Sequence, residues 1–438
     1  MHSDAGATTI LVVMVLLFVM MLVGAFTSHT LIRDQKSSGN LYRSAQAFEA
    51  AEAGLEWGLA MLNGARVDAN CNPSTSSGST IFRRRVLQIG DATTGGYATS
   101  PGSSAVGVPA CILIGGAWQC RCPATGVGNP PSTSATSAST LAPVFKVEFG
   151  GARLPGDTLA HPRTLTITSH GCSARLSGAH GARVCDDSNP AGLVANEAYA
   201  KAMIDVALLP ALAALPSAAL TAKGNVDLGD RAGVQNTDPS TGITINAGGD
   251  LLHADDARLS GPAGSAAAAS KRGNDLQLSA RADAQFMRSY LGMPSEAFAQ
   301  LPGTRLPCND THSCTARELQ QAYDGGVRMV WVADRLELSD VALGSRDDPM
   351  LLVVGDELAL SGNVQLSGFV LARSLTWSGG SAGSAWLRGA AVVLGDVTLS
   401  GTSDISYDAP ALQRLRVLVG TFVRIPGSWR DKDVRERL

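Results

Sequence analysis

The chain has 438 residues, of which 48 are Gly and 17% are charged, and its net charge is -3. A charge this close to zero excludes a strong general attraction to nucleic acid, and we expect no nucleic-acid partner. The length allows two or three domains. Short Val, Leu and Ile runs between many Gly and Ser residues favour short strands and turns over a helical enzyme.

An uninterrupted apolar run extends from Ile10 to Phe26, and no residue is charged from Ala7 to Ser28. A helix rises about 1.5 Å per residue, so about 20 residues span the hydrocarbon core of a bilayer. The alternative is a signal peptide cleaved near residues 23–25, which read Val-Gly-Ala. Because no positive n-region precedes the run, which is also long for an h-region, we predict a retained anchor whose residues 7–28 contact membrane lipid.

The eight Cys residues all follow residue 70. Scattered cysteines beyond a membrane segment indicate an oxidising compartment and up to four disulfides. The positive-inside rule points the other way, because Arg33, Lys36 and Arg43 follow the apolar run and no Lys or Arg precedes it. We give the cysteines more weight and predict a single-pass protein with a periplasmic body.

A second helical pattern follows the apolar run, beyond a weak point at Gly39 and Asn40. Its apolar stripe, at alternating spacings of four and three, consists of Leu41, Ala45, Phe48, Glu52, Leu55, Leu59 and Leu62. A neighbouring face of small residues, which permits close approach, consists of Ala47, Ala51, Gly54 and Gly58. Two interpretations stay open. The helix packs on its own domain with Glu52 at the edge, or it is a bundle helix whose Glu49 and Glu52 pair with a partner's cations.

The apolar helix, Gly39-Asn40, Arg43 and the run AFEAAEAGL at residues 47–55 together resemble the N-terminal region of PilX-type minor pilins. The resemblance covers roughly the first 65 residues. It implies an inner-membrane subunit of bacterial type IV pilus assembly that joins or primes the fibre. The implied partners are other pilins, minor pilins and the inner-membrane assembly machinery. The residues expected to carry helix packing and assembly are Phe48, Glu49, Ala51, Glu52, Gly54, Leu55 and Gly58.

Residues 66–219 are expected to form a β-rich domain that contains disulfides. The turn Gly115-Gly116 predicts a hairpin with Cys111 opposite Cys120. We predict a disulfide at this pair because it falls at a non-hydrogen-bonded position, where side chains are closer. Cys71–Cys122 is then the remaining option, unless the run Cys-Arg-Cys shares its partners differently. Proximity along the chain favours Cys172–Cys185 as a further pair.

Alternating residues predict strands at Phe145–Phe149 and Thr164–Thr168. Gly126 to Ser139 is expected to be loop. The Ala- and Leu-rich segment from residue 195 to 214 predicts a helical start that Pro210 and Pro216 interrupt.

From residue 220 to 438 short strands are separated by Gly and Asp. The sequences GDELALSG at 355–362 and GDVTLSG at 395–401 resemble each other. Such repeats predict the stacked rungs of a parallel β-helix-like solenoid, with a β-sandwich as the alternative. A helical insert is expected at about 275–323, with Cys308 and Cys314 as a disulfide candidate. This half also resembles, more weakly, the C-terminal portions of large PilX-like proteins. Arg430 to Leu438 is predicted to be a solvated tail.

We find no catalytic or metal-binding pattern. No pair among the seven His residues has HExxH spacing. The dipeptides Asp255-Asp256 and Asp347-Asp348 supply few of the oxygen ligands that calcium needs, and we predict solvated turns. We therefore expect no enzyme activity, metal or cofactor.

The predicted fold class is α+β and mostly β: a long membrane-spanning helix (1–65), a disulfide-containing domain (66–219) and a solenoid region (220–438). The leading functional prediction is a minor pilin or pilus-assembly subunit. The alternatives are a surface adhesin displayed on the pilus, since concave solenoid faces bind extended ligands, and a type II secretion pseudopilin.

Overall fold

A computed structural model describes residues 5–89, 97–98, 106–128, 142–151, 163–173, 185, 198–255, 257–262, 269–302, 304, 314–380 and 383–431. It contains one long helix, an antiparallel sheet and a parallel solenoid, which confirms the predicted fold class. The predicted boundaries at residues 65 and 219 stay a prediction. Most of the loop predicted at 126–139, Asp256, Cys308 and tail residues 432–438 lie outside the described residues.

The first helix, α1, runs from Ala5 to Leu62 and is 58 residues long. At about 1.5 Å per residue it extends for about 87 Å, far beyond the thickness of a bilayer core. It passes through Gly39 and Asn40 without a break, so the expected weak point does not interrupt it. Its residues from 47 onward lie on the body of the protein.

The region after α1 is built from strands and one short helix. Its elements are β1 (Arg66–Val67), β2 (Thr80–Ile81), α2 (Phe82–Val86), β3 (Gln88–Ile89), β4 (Tyr97–Ala98), β5 (Gly107–Val108), β6 (Ala110–Ile114), β7 (Ala117–Arg121), β8 (Gly126–Val127), β9 (Val144–Gly151), β10 (Thr164–Cys172) and β11 (Tyr199–Pro210).

The rest of the chain consists of the solenoid strands, five helices and a final strand. These are β12 (Ala218–Ala222), β13 (Val226–Leu228), β14 (Gly233–Gln235), β15 (Ile243–Ala247), β16 (Leu251–His253), β17 (Arg258–Ser260), β18 (Lys271–Arg272), α3 (Leu276–Ser279), α4 (Asp283–Leu291), α5 (Ser295–Phe298), α6 (Ala316–Asp324), β19 (Met329–Val332), β20 (Leu336–Ser339), β21 (Ala342–Leu343), β22 (Met350–Gly362), β23 (Gln365–Gly379), β24 (Trp386–Val393), β25 (Val397–Ser400), β26 (Asp404–Tyr407), α7 (Ala409–Val417) and β27 (Gly420–Arg424).

Six strands form an antiparallel sheet in the order β27-β11-β10-β9-β6-β7. The second half of α1 crosses β9, β10 and β11. Leu55 of the helix packs into one core with Phe145, Val147 and Ile167 of the sheet. Alternate residues of a strand point to opposite faces, so one side of the sheet is buried under the helix.

The helix predicted to start near residue 195 is wrong, because Tyr199–Pro210 is the strand β11. It pairs along its length with β10 and at its end with β27. The alternate buried residues Ala202, Ile204 and Val206 fill the core beneath α1. Tertiary pairing on both edges therefore overrides the helix preference of Ala and Leu.

Three disulfides join Cys71 to Cys122, Cys111 to Cys120, and Cys172 to Cys185. The hairpin β6–β7 turns at Gly115 and Gly116, both with positive φ, and pairs Cys111 directly with Cys120. Cys314 is also disulfide-bonded, and its predicted partner lies outside the described residues.

Parallel strands stack into a solenoid with three faces. In the coil of residues 386–407, one face is formed by the end of β24, the second by β25 and the third by β26. The strands β12, β13 and β14 pair in register with β24, β25 and β26, in that order. The interior is mostly aliphatic and includes Trp377. One buried ladder runs across five strands through Leu336, Leu358, Leu375, Val397 and Val226. This ladder explains the repeated Leu-x-Leu-Ser-Gly pattern of the sequence.

The coils are not stacked in chain order. Along one face the strands follow β19, β22, β23, β24, β12, β15 and β18. The chain therefore enters the middle of the solenoid near residue 218 and reaches one end near residue 272. The helical segment α3–α6 then carries it to the other end near residue 329. This order explains why the sequence repeat is irregular.

The helices α4, α5 and α7 cover an outer face of the solenoid. Phe286, Phe298 and Leu412 pack with Phe369 and Leu371 of that face in a second core. The hydroxyl of Tyr407, which lies next to this core, donates to the carbonyl of Pro216 at 2.8 Å. Burial raises the pKa of Tyr407 to about 12, so this donor keeps its proton at neutral pH.

The solenoid is inserted between two neighbouring strands of the antiparallel sheet. Pro210 at the end of β11 pairs with Gly420 at the start of β27. The amide of Ala211 donates to the carbonyl of Val419 at 2.8 Å. The chain thus leaves the sheet and returns to it at the same point, and residues 212–418 are called the solenoid insert below.

Candidate functional site

The N-terminal half of α1 is the largest exposed apolar surface in the described part of the chain. From Ile10 to Val23 the apolar side chains are 50% to 73% exposed. Within the described residues this is the one helix long and apolar enough to cross a membrane. Burial of such a surface in lipid or against other helices is favourable, because each apolar side chain is removed from water.

The small residues of α1 face the chain's own sheet. A Cβ atom added at Gly54 would lie 2.1 Å from Ser169 Oγ and 3.0 Å from Phe145 Cδ2. The sheet is equally tight, since a Cβ on Gly171 would lie 2.2 Å from the Ala47 carbonyl oxygen. The small residues therefore allow the helix and sheet backbones to come close, within one chain.

The seven residues predicted to carry assembly fall into two groups, four against the sheet and three pointing away from it. Ala51, Gly54 and Leu55 are fully or almost fully buried against the sheet, and Gly58 lies against Val147 and Ile167. Their contacts are intramolecular, in agreement with the interpretation in which the helix packs on its own domain.

Phe48, Glu49 and Glu52 point away from the sheet. Glu49 is exposed and has no ion-pair partner in the described residues. Glu52 Oε1 accepts a hydrogen bond from Trp429 Nε1 at 2.6 Å. The ring of Phe48 meets the Trp429 ring edge-on, with 6.2 Å between the centroids. Glu52 is thus paired within the chain by an indole, and not by a cation.

Residues of β27 bind the C-terminal end of α1 and the residues next to it. The amide side chain of Asn63 donates to the carbonyl of Phe422 at 2.9 Å and accepts from its backbone N–H at 2.8 Å. Arg424 forms an ion pair with Glu56. Arg83 donates to the carbonyls of Leu62 and Gly420, and so satisfies a free carbonyl at the helix C-terminus.

The predicted solvated tail is wrong at its first residue. Arg430 forms two hydrogen bonds to the carboxylate of Asp205, at 2.7 and 3.0 Å, and Asp205 is 7% exposed. Sequence reasoning missed the role of residues 420–430, because a short strand and one Trp near the end of a chain carry no recognisable pattern.

The acidic dipeptide at 347–348 is not a plain solvated turn. Asp348 accepts two hydrogen bonds from Arg328, and Asp347 pairs with Arg414. No cluster of His, Cys, Asp and Glu that could hold a metal ion occurs in the described part of the chain.

Residues 5–56 match the family model for the PilX N-terminal region. No curated protein matches the chain. Among solved structures, the competence-associated pilin ComZ from Thermus thermophilus is similar at 12% identity, over 89% of this chain and 98% of that chain, with a TM-score of 0.20. A score this low carries no argument about the fold. Residues 5–56 thus form a PilX-type N-terminal region, and the exposed apolar helix within it fits a membrane anchor.

Proposed function

We propose that this protein is a minor pilin or pilus-assembly subunit that α1 holds in the inner membrane and later packs into a fibre. The observation that carries the proposal is the contrast within one helix. Residues 10–26 are exposed along their whole length, while residues 47–62 are fixed on the body. Such a helix can exchange lipid for neighbouring helices without any change in the body.

The exposed side of α1 supplies the contacts for that exchange. Leu41 and Tyr42 are 70% and 63% exposed, and Phe48 with Trp429 continues the apolar surface toward the body. Glu49 lies beside this surface. A carboxylate removed from water needs a cation or donors, so Glu49 would select neighbours that present Lys or Arg.

The location proposed for the body is the periplasm, and after assembly the cell surface. Disulfides persist in such oxidising compartments, and the body contains three described pairs. The role is structural and requires no catalytic activity or cofactor. The proposed partners are other pilins, minor pilins and the inner-membrane assembly machinery.

The test is charge reversal at Glu49. In the native host, Glu49→Lys is expected to accumulate normally in the membrane, since Glu49 makes no described ion pair, yet to reduce surface piliation strongly. Glu296→Lys is the matched control, because Glu296 is an exposed Glu on the solenoid insert. Normal piliation by Glu49→Lys, with the protein present in sheared fibres, would count against the proposal.

A second candidate function, a surface adhesin displayed on the pilus, is favoured by the position of the solenoid. The solenoid insert joins the sheet at neighbouring residues of β11 and β27 and contains none of α1. A ligand-binding module could occupy this place without disturbing the helix. Replacement of the insert by a short turn should then abolish attachment to a surface and leave fibre formation intact.

A further inference from the structure

A cleft of about 230 Å³ lies where the end of α1, the helix α2 and the solenoid insert meet. Residues 63–65, 81, 83 and 84 line it from the region beneath α1, and residues 302, 326–329, 347–349, 414 and 418 line it from the solenoid insert. Six charged residues line it: Arg83, Arg84, Arg328, Arg414, Asp347 and Asp348. The cations therefore outnumber the carboxylates by four to two.

One carboxylate of the cleft is shared by two arginines. Arg328 binds Asp348 with both nitrogens of its fork, at 2.8 and 2.7 Å. Arg84 Nη2 lies farther from the same carboxylate, at 3.5 Å, and the Arg84 side chain is 43% exposed. Asp348 is already occupied by a bidentate partner, so its interaction with Arg84 is the weaker one.

The other carboxylate, Asp347, forms an ion pair that is exposed to solvent. Arg414 pairs with Asp347 at 2.9 Å, but the Asp347 side chain is 85% exposed. An exposed ion pair contributes little to stability, because water and salt screen it. Arg414 lines the cleft and also donates to the carbonyl of Arg346 at 3.2 Å. Because Asp347 is mostly in water, exchanging it for an anion in the cleft costs Arg414 little.

The remaining cation is bound to neutral groups. In the described part of the chain Arg83 has carbonyl partners and the ring of Phe422, and no carboxylate. No described carboxylate thus compensates its charge. Among the described lining residues, four arginines face two carboxylates, which leaves an excess of about two positive charges.

We propose that this cleft binds a small anion that carries a carboxylate or a phosphate group. Arg84 and Arg414 provide the charged hydrogen bonds, while Arg328 stays with Asp348. Guanidinium groups match both anions with two parallel hydrogen bonds. The cleft is smaller than the roughly 300–1,000 Å³ of most drug-sized pockets, which indicates a ligand of monosaccharide size. The inference does not depend on the proposed pilus function.

Binding would also join the two halves of the molecule. Arg84 belongs to the region beneath α1, and Arg414 belongs to the solenoid insert. An anion held by both would stabilise their relative arrangement, because a ligand that binds the folded state alone adds to its stability.

The test is isothermal titration of the full-length chain in neutral detergent with three probes: inorganic phosphate, glucuronate and glucose. Phosphate or glucuronate is expected to bind, and glucose, which lacks the charge, is not. The two charged probes distinguish a phosphate from a carboxylate source. Arg84→Gln and Arg414→Gln should each weaken binding about tenfold, the usual effect of losing a charged hydrogen bond.

Two further variants make the test decisive. Arg335→Gln removes the same charge from an exposed site outside the cleft and should leave affinity unchanged. Asp347→Asn frees Arg414 and should tighten binding, a gain that misfolding cannot imitate. The proposal is overturned if neither charged probe binds, if glucose binds equally, if Arg335→Gln weakens binding as much as Arg84→Gln, or if Asp347→Asn fails to strengthen it.

Discussion

The helix–sheet region and the solenoid insert are stabilised in different ways. The first depends on contacts between residues far apart in sequence: α1 on the sheet, the Cys71–Cys122 disulfide, and the pairing of β27 with β11. The second depends on the same contacts repeated from coil to coil around a mostly aliphatic interior. In a stacked solenoid each coil stabilises its neighbours, and stability accumulates along the stack.

This difference assigns different tasks to the two regions. The helix–sheet region holds α1 rigidly and presents one side of it to partners. The chain enters and leaves the solenoid insert at one pair of neighbouring strands, where the amide of Ala211 donates to the carbonyl of Val419. The insert also contacts the region beneath α1 at the cleft, where Arg84 approaches Asp348. A change inside the insert should therefore leave the helix in place, and a change beneath the helix should leave the coils stacked.

The largest effect is expected inside the solenoid. Trp377 is fully buried among the coils. Trp377→Ala removes the largest side chain of that interior and should lower the free energy of unfolding of the insert by about 3–5 kcal/mol. Hydrogen exchange read by mass spectrometry should accelerate in β22, β23 and β25. It should stay unchanged in β9 and β10, and faster exchange there would contradict the separation of the two regions.

The reciprocal change is Gly54→Val on α1. Its Cβ would collide with Ser169 and Phe145, so the helix must move off the sheet. Overpacking of this kind costs about 1–3 kcal/mol. Hydrogen exchange read by mass spectrometry should become faster in β9 and β10 and stay unchanged in the solenoid strands.

The matched control is Gly39→Val on the same helix, where nothing lies within 4 Å of the added Cβ. Like Gly54→Val, this variant replaces a helical Gly by a β-branched residue. Equal destabilisation by both variants would show that helix propensity, and not the contact with the sheet, is responsible.

A smaller effect is expected at the junction of α1 with the end of the chain. Trp429→Phe keeps the ring against Phe48 but removes the donor to Glu52. The loss of one hydrogen bond to an exposed carboxylate should lower stability by about 0.5–1.5 kcal/mol. Thermal unfolding followed by circular dichroism measures it. Trp386→Phe, on the solenoid, controls for the change of residue type.

The elements with a strong local signal were predictable from the sequence. The apolar helix, the hairpin at Gly115-Gly116 and the Leu-x-Leu-Ser rungs each follow from spacing within a few residues. The strand β11 pairs with β10, which is near in sequence, and with β27, which lies more than 200 residues further along the chain. The strand was not predictable, because its pairing with β27 depends on residues so far away. No local rule indicates such a pairing.

The helix faces show the same limit. Periodicity found both the apolar stripe and the small-residue face of α1, but it could not say which face meets which partner. The sheet residues that decide this, such as Ser169 and Gly171, lie over 100 positions from Gly54. Likewise Trp429, which binds Glu52, gives no signal in its own neighbourhood.

The central claim is that the helix–sheet region is a folding unit with the solenoid inserted into it. The most direct test replaces residues 212–418 with Asn-Gly, a sequence that favours a tight hairpin turn, and measures hydrogen exchange in β9, β10, β11 and β27. We predict the same protection as in the full chain. A chain that ends at Ala211, and so lacks β27, should lose it. Loss of protection in the Asn-Gly replacement as well would contradict the claim.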